Sequence, residues 1–407
     1  MTAKRIEELL ELYRHSLLED VVPFWLNTAA DHKYGGILNC LDRDGSVYNT
    51  DKAMWIQCRA VWMFAKLYNE CESRPEWLEA ARNGYEFITR HGFDTDGRMF
   101  FIVTQDGRPL RKSRYLFTET FGSIACAEYA RATGDQRALG KARDLYHLII
   151  DFTRSPGRLT PKVLPETRVT RVHAMPMILL ATTQELRKHY DDPLHTEVVD
   201  QSLYEVQNYF VKPDENALFE VVGPNGERLH SPEGRCINPG HAIETSWFMM
   251  HEARHRSDPS LLTRALDILK WSLDIGWDKE YGGILYFVDV EGKPTEQLEW
   301  DMKLWWPHTE ALYALLLAHH LTGDSFYEEW YERVHRWAFD HFADAQHGEW
   351  FGYLHRDGTL SSRLKGSMWK GPFHLPRALL YGWKILEEMK AERGTRDEEG
   401  EAQTLST

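Results

Sequence analysis

The sequence predicts an all-α protein, an (α/α)6 toroid of six helix-pair repeats with short β-hairpins in the connecting loops. Three observations lead there. The first is an internal repeat: YGGILNCLDRDGSVYNTDKAMWIQCRAVW, from Tyr34, reads very like YGGILYFVDVEGKPTEQLEWDMKLWWPH, from Tyr281. The second is spacing. Weaker copies begin at Gly97, Ala217 and Gly348 and a degenerate one at Gly157, so the anchors Gly36, Gly97, Gly157, Ala217, Gly283 and Gly348 are 61, 60, 60, 66 and 65 residues apart. A regular period longer than 20 residues marks repeated supersecondary units. The third is that no unit looks like a polar capping repeat, which favours six units closed on themselves over an open solenoid.

Each unit opens on an alternating apolar stretch with a DG or NG turn, the signal of a hairpin. Two segments with apolar residues at helical spacing follow, as in DKAMWIQCRAVWMFAKLYNE and WLEAARNGYEFITRH. Short junctions make neighbouring helices antiparallel. Residues 1–390 are read as a single domain. The charged segment EEMKAERGTRDEEGEAQTLST ends the chain, with 391–407 set apart as a flexible tail.

Composition limits the function. The 407 residues are 43% hydrophobic and 27% charged, ordinary for a globular chain and unlike a disordered one. A balance of 48 Lys+Arg against 62 Asp+Glu, net −14, argues against a nucleic-acid partner, which needs concentrated cations. No apolar run approaches the roughly 18 residues of a membrane span. Acids interrupt the start MTAKRIEELLELYRHSLLEDVV, so it does not read as a signal peptide. Cys40, Cys58, Cys71, Cys126 and Cys236 are odd in number and form no CxxC, which points to a reducing cytoplasm rather than a disulfide framework or a zinc site. The 15 Trp, 18 Tyr and 18 Phe suit a sugar site and a plain aromatic core equally well.

Counting from each anchor along the first helix of the pair gives Arg59, Glu119, His173, His241, His308 and His374 at offsets of 23, 22, 16, 24, 25 and 26 residues. If the units superpose, these polar residues ring one mouth of the toroid, where convergent titratable groups define a site. In RCINPGHAIETSWFMM, Asn238 can cap a helix and Pro239 can open it. His241 and Glu244 then share a face. In WWPHTEALYALLL, Pro307 opens a helix carrying His308 and Glu310, and His374 precedes Pro376 just outside another. Arg59 shares a face with Trp55 and Trp62. Bland roles compete: a buried ion network for Arg59, Glu244 and Glu310, a structural role for His308, and core packing for Trp305, Trp306 and their neighbours. His241 and His374, in equivalent Gly/Pro-flanked positions, are the pair that reads as functional.

GGILNCLDRDGSVYNTDKAMWIQCRAVW, RCINPGHAIETSWFMM, QLEWDMKLWWPHTEALYALL, HGEWFGYL and LKGSMWKGPFHLPRALL together resemble the N-acylglucosamine 2-epimerase family, collinearly from about Leu10 to Trp383. The resemblance implies the (α/α)6 fold, a cytoplasmic homodimer, and interconversion of N-acetylglucosamine and N-acetylmannosamine by inversion at C2. It makes His241 and His374 the catalytic histidines. It places Arg59, Glu244 and Glu310 among the polar groups of the substrate pocket; beside them, His308 from the ring of helix starts and Trp305, Trp306 and Trp369 as covers for the sugar are expected from the residues themselves. No cofactor or metal is implied. ATP is implied as an activator that is not consumed, with Lys162, Arg168 and Arg171 as the phosphate-binding candidates and no Walker sequence in the chain. The alternatives are an aldose–ketose isomerase or 2-epimerase of free sugars, a glycoside hydrolase using carboxylates such as Glu244, Glu310, Asp301 or Glu349, and a non-catalytic sugar-binding module.

Overall fold

The computed structural model describes residues 1–405 except 113–114, 156, 160–162 and 165, with side chains described as far as 393. In chain order the helices are α1 (Ala3–His15), α2 (Val22–Thr28), α3 (Met54–Glu70), α4 (Pro75–His91), α5 (Phe117–Thr133), α6 (Gln136–Arg154), α7 (Ala174–Leu186), α8 (Pro193–Glu205), the single turn α9 (Pro232–Arg235), α10 (Pro239–Arg256), α11 (Pro259–Gly276), α12 (Trp305–Thr322), α13 (Ser325–Phe342) and α14 (His374–Leu405). Helices α3, α5, α7, α10, α12 and α14 form an inner ring, and the others of comparable length lie outside it. The division follows from sequence. The outer helices carry one apolar stripe, as α11 does with Leu261, Ala265, Ile268, Leu269 and Leu273 buried. The inner α12 is buried at every position from Trp305 to His319 because neighbours cover all its faces.

The sixth pair is assembled from the two ends of the chain. The last unit supplies only α14, and its outer partner is α1, whose Ile6, Leu9 and Tyr13 are buried. Gly382 lets the two approach closely: a Cβ there would stand 2.4 Å from the Tyr13 ring. The backbone of α14 runs on into 391–407, the segment set apart as a tail, up to Leu405.

The expected hairpins form in units 1, 2 and 6, where Cys40–Leu41 pairs with Val47–Asn49, Phe100–Val103 with Pro109–Lys112, and Tyr353–Leu354 with Leu360–Ser362. Val211–Lys212 pairs locally with Ala217–Leu218, and the remaining pairings run between units. The residues leading into an inner helix lie antiparallel to the next unit's strand: Lys52–Ala53 on Ile102–Val103, Arg171–Val172 on Val221–Val222, Cys236–Ile237 on Val288–Asp289, and Lys303–Leu304 on Tyr353–Leu354. Backbone bonds between Leu41 and Gly366, at 3.2 and 3.1 Å in the two directions, close the circle from the sixth unit to the first. This belt fixes the starts of the inner helices, and hence the mouth of the toroid.

A buried ion pair braces the belt in several units. Lys52 Nζ donates to Asp31 at 2.7 Å, Lys303 to Asp278 at 2.9 Å and Lys365 Nζ lies 3.1 Å from Asp344. Each lysine also donates to the carbonyl of a turn glycine, Gly35, Gly282 or Gly348. The next residue in each turn has positive φ: Gly36 at 73°, Gly283 at 74° and, with a side chain, Glu349 at 55°.

Candidate active site

A cavity of about 1500 Å3 opens at the belt end of the inner ring. Its chemistry comes from the first turns of the inner helices. Asn238 caps α10 by accepting the His241 backbone N–H at 3.1 Å, with Pro239 in the first turn, as the sequence predicts. His241 is thereby held on the cavity wall. Its Nδ1 lies 3.0 Å from Glu220 Oε2, which leaves Nε2 for the cavity. His374 is the first residue of α14 rather than a residue outside it, and its Nδ1 lies 2.7 Å from Glu310 Oε1. The Trp306 ring contacts both imidazoles, with centroids 5.3 Å from His241 and 5.7 Å from His374.

The two histidines have opposite surroundings. Burial alone would lower the pKa of His241, but the carboxylates of Glu220 and Glu244 outweigh it and raise the value above an ordinary imidazole. At His374 burial and the guanidinium charges of Arg59 and Arg377 act together, and hold the ring neutral far below the ordinary value. The Glu310 oxygen facing His374 does not reverse this, because Arg377 Nη2 donates to the same atom at 2.6 Å. Environments that push two titratable groups apart assign one as acid and the other as base.

Arg59 is a cation without a counter-ion in contact among the described residues. Its guanidinium carbon lies 4.3, 4.0 and 4.7 Å from the rings of Trp55, Phe121 and Phe373, and its Nε has no hydrogen-bond partner among the described residues. Burial brings its pKa down to about 9. Such a charge in an apolar wall favours any anion that forms beside it. Arg377 is the contrary case, with Nη2 2.9 Å from Glu244 and 2.6 Å from Glu310. Glu244, Glu310 and His374 bring three donor atoms within 4.8 Å of one another. Between the carboxylates, Arg377 supplies the charge that a metal ion would bring.

Of the residues expected at the site, Arg59, His241, Glu244, Trp305, Trp306, Trp369 and His374 border the cavity. Trp369 stands at the rim, 56% exposed and 5.5 Å from the Trp55 ring. Glu310 sits one layer behind, buried and donating no surface to the cavity, and accepts from His374, Arg377 and Trp247. His308 is a correction. It faces outward, stacked 4.8 Å from Trp337, with Nδ1 donating to the Leu304 carbonyl and Nε2 accepting the Ile284 N–H at 2.9 Å. Gln57 and Glu119 hold Ile37 N–H and Met99 N–H in the same way. The expected ring thus divides: Arg59, His241 and His374 face inward, while Glu119 and His308 pin the loops behind.

Among the basic residues, Arg168 borders the mouth of the cavity. Arg171 is turned away, stacked on Tyr209 at 4.2 Å and donating to the Pro224 carbonyl, and Lys162 lies outside the described residues. Glu349, a hydrolase candidate, is buried against Lys370 and Trp25 at 2.7 Å each. Sequence reasoning missed Glu220, Trp247 and Arg377. The last two were within reach, since Trp247 follows Glu244 and Arg377 follows His374 by three residues on one helical face. Glu220 is an acid inside the apolar stretch LFEVV, in the bend between Ala217–Leu218 and Val221–Val222, at the position of Asn39 and Tyr286 in units 1 and 5.

Two carboxylate-oriented imidazoles and a guanidinium with no carboxylate in contact among the described residues, around one aromatic-walled space at the mouth of this toroid, are the equipment of a carbohydrate epimerase. The comparisons carry the assignment further. The sequence profile of N-acylglucosamine 2-epimerase (GlcNAc 2-epimerase) matches residues 35–375, and the chain belongs to that family. The N-acylglucosamine 2-epimerase of Bos taurus is 38% identical over 380 residues, covering 91% of this chain and 90% of the bovine one. That of Mus musculus is 36% identical over 377 residues, with 91% and 90% covered. The fold is shared with the cellobiose 2-epimerase of Bacillus thermoamylovorans B4167, with a TM-score of 0.82, 21% identity, and 93% and 99% of the two chains covered. No helix among the described residues is long and apolar enough to cross a membrane.

Proposed function

We propose that the chain interconverts N-acetylglucosamine and N-acetylmannosamine by deprotonation and reprotonation at C2. The observation that carries the reading is the pair His241 and His374, both on the cavity wall, each with Nδ1 on a carboxylate and with no hydrogen bond at Nε2 among the described residues. The C2 proton of a closed sugar ring is not acidic. Once the ring opens, with protons exchanged at O1 and O5, that proton is α to the C1 aldehyde. A neutral imidazole on one face takes it, an enediolate-type anion forms, and an imidazolium on the other face returns a proton with inversion.

His374, held neutral, is the base for one epimer, and His241, favoured as imidazolium, is the acid. One turnover leaves the opposite charge state, which the other epimer requires. Arg59 lies beside the site without a carboxylate partner and stabilises the charge that develops on O1. None of these steps uses a metal or a redox cofactor. The proposal includes ATP at the Arg168 rim as an activator that is not consumed, and a cytoplasmic homodimer as the assembly. Kinetic titration with ATP and analytical ultracentrifugation test those two parts.

The decisive experiment is proton NMR of N-acetylmannosamine with the protein in deuterated water. N-acetylglucosamine carrying deuterium at C2 is the expected product. No conversion and no exchange, with and without ATP, overturns the N-acyl reading. A ketose or an epimer formed from mannose or cellobiose would instead support the free-sugar alternative.

A further inference from the structure

Glu220 belongs to none of the motifs that point to the site, yet it is the residue on which His241 rests. Its backbone is clamped. Val172 lies opposite Val221 in the strand pair before α7, and the His173 N–H donates to the Glu220 carbonyl at 2.9 Å. Its carboxylate lies between two histidines, hydrogen-bonded to one and close to the other. Oε2 faces Nδ1 of His241 at 3.0 Å, and Oε1 lies 3.5 Å from Nδ1 of His173. His173 is completely buried, and its Nε2 meets the Thr245 hydroxyl at 3.1 Å. Thr245 stands one helical turn beyond His241 on α10. When the Thr245 hydroxyl donates to Nε2, the His173 proton sits on Nδ1, which approaches Glu220 Oε1 at 3.5 Å without forming a hydrogen bond. The chain therefore closes on itself: His241, Glu220, His173, Thr245, and back along α10.

The two histidine–carboxylate pairs of the cavity are not equivalent. Glu310, behind His374, is also bonded by Arg377 and Trp247, so its charge is already balanced by a guanidinium. Glu220 has no guanidinium or ammonium in contact among the described residues. Its neighbours are His241 and His173, and its negative charge is available to an imidazolium at His241. The other charged groups around the two rings are Glu244 on α10, Arg59 on α3, Glu310 on α12 and Arg377 on α14.

We infer that Glu220 is a positioning residue for the reaction, fixing His241 with the proton on Nδ1 and Nε2 toward the sugar, and that His173 is the support that holds Glu220 in place. The inference rests on the proposed two-histidine chemistry for its kinetic consequence, but not for its structural one. A fixed Nδ1–H leaves Nε2 as the single nitrogen that exchanges protons with C2. The same carboxylate stabilises the imidazolium between the two half-reactions, the role a buried carboxylate plays behind a general base. Burial of Glu220 is consistent with this, since its charge is kept only because His241 and His173 face it, which holds its carboxyl well below the usual range.

The test reads His241 directly by nitrogen-15 NMR of histidine-labelled protein, assigned through His241→Gln, with no sugar present. The wild type is expected to show neutral His241 as the Nδ1–H tautomer and to titrate above an ordinary imidazole. Glu220→Gln is expected to bring that titration down and mix the tautomers. In turnover it should lower kcat by about 100-fold with KM changed by less than about threefold, with the alkaline limb of the pH profile moved to lower pH. Glu220→Asp should recover part of the loss, and His173→Gln should reproduce the tautomer mixing in milder form. Nε2–H as the wild-type tautomer overturns the inference without any variant. So does a folded Glu220→Gln with unchanged His241 titration. If the wild type shows the expected tautomer but exchanges no C2 proton of any N-acyl sugar, the substrate reading fails while the role of Glu220 stands.

Discussion

Oε1 of Glu310 lies 2.7 Å from Nδ1 of His374, and the same oxygen receives Nη2 of Arg377 at 2.6 Å. The carboxylate therefore orients the imidazole without charging it. A buried histidine facing an ionised, uncompensated carboxylate would be drawn toward imidazolium. With Arg377 on the same atom, and Arg59 nearby, the ring is oriented and kept neutral at once.

Each of His241→Ala and His374→Ala is expected to reduce epimerisation by about 10⁴-fold while leaving the helical circular dichroism spectrum in place. Conversion and C2 deuterium incorporation are read together by NMR. An active single variant would refute the two-base scheme.

The pH profile of kcat/KM should be broad. His374 must be neutral to take a proton, and its pKa is far below the ordinary imidazole value, so the acid limb lies below that value. His241 must be protonated to give one, and its pKa is raised, so the alkaline limb lies above it. Arg59→Met removes a cation that lowers His374, so the acid limb should move to higher pH. Loss of the charge beside the anionic intermediate should also lower kcat by about 10²–10³-fold. An unmoved acid limb would show that Arg59 does not act on His374.

His308 is expected to matter for stability and not for chemistry. His308→Ala leaves the buried Ile284 N–H unpaired, at a cost of about 1–3 kcal/mol. His308→Gln should keep the acceptor, as Gln57 does at the equivalent loop. Burial brings the His308 pKa from 6.5 to about 3, so the unfolded chain takes up a proton that the folded chain refuses. Its contribution is present above about pH 6.5 and lost as the pH falls toward about 3. His308→Gln should therefore unfold at a lower pH than wild type in an acid titration followed by circular dichroism. A fall in kcat of more than a few-fold in the Gln variant would return His308 to the site.

Arg377→Ala leaves Glu244 and Glu310 facing each other without their cation. The variant is expected to lose stability by about 3–5 kcal/mol, as when one partner of a buried ion pair is removed. It should also take up a divalent transition metal on Glu244, Glu310 and His374, whose donor atoms already lie within 4.8 Å of one another. Metal analysis after dialysis against zinc, with wild type as control, checks this. Equal metal content in both would show that Arg377 is not what fills the gap.

Much of the architecture was legible in the sequence because a repeat is a local property. The Gly-rich turns, the hairpin signals and the helical spacings recur in each unit, and each can be read without knowing where the others lie. The capping of α10 by Asn238 was legible for the same reason. The site was legible only in part. Counting from the anchors treated each inner helix as if its polar residue faced the same way. His241 is the third residue of α10 and His308 the fourth of α12, and one residue along a helix turns a side chain by about 100°, enough to take His308 off the cavity wall. Glu220 could not be found by helical counting at all, since it reaches His241 from a bend 21 residues earlier.

The sequence by itself determined that six similar units would form paired helices, and that His241 and His374 would stand at helix starts. These outcomes depend on residues a few positions apart. Tertiary structure alone decided that α1 completes the sixth pair, that Leu41 meets Gly366 to close the belt, and that Arg377 bridges Glu244 and Glu310 behind His374. Those contacts join residues more than 60 positions apart in the chain or lie between its two ends. Their charge balance exists only once the ring closes and water is excluded.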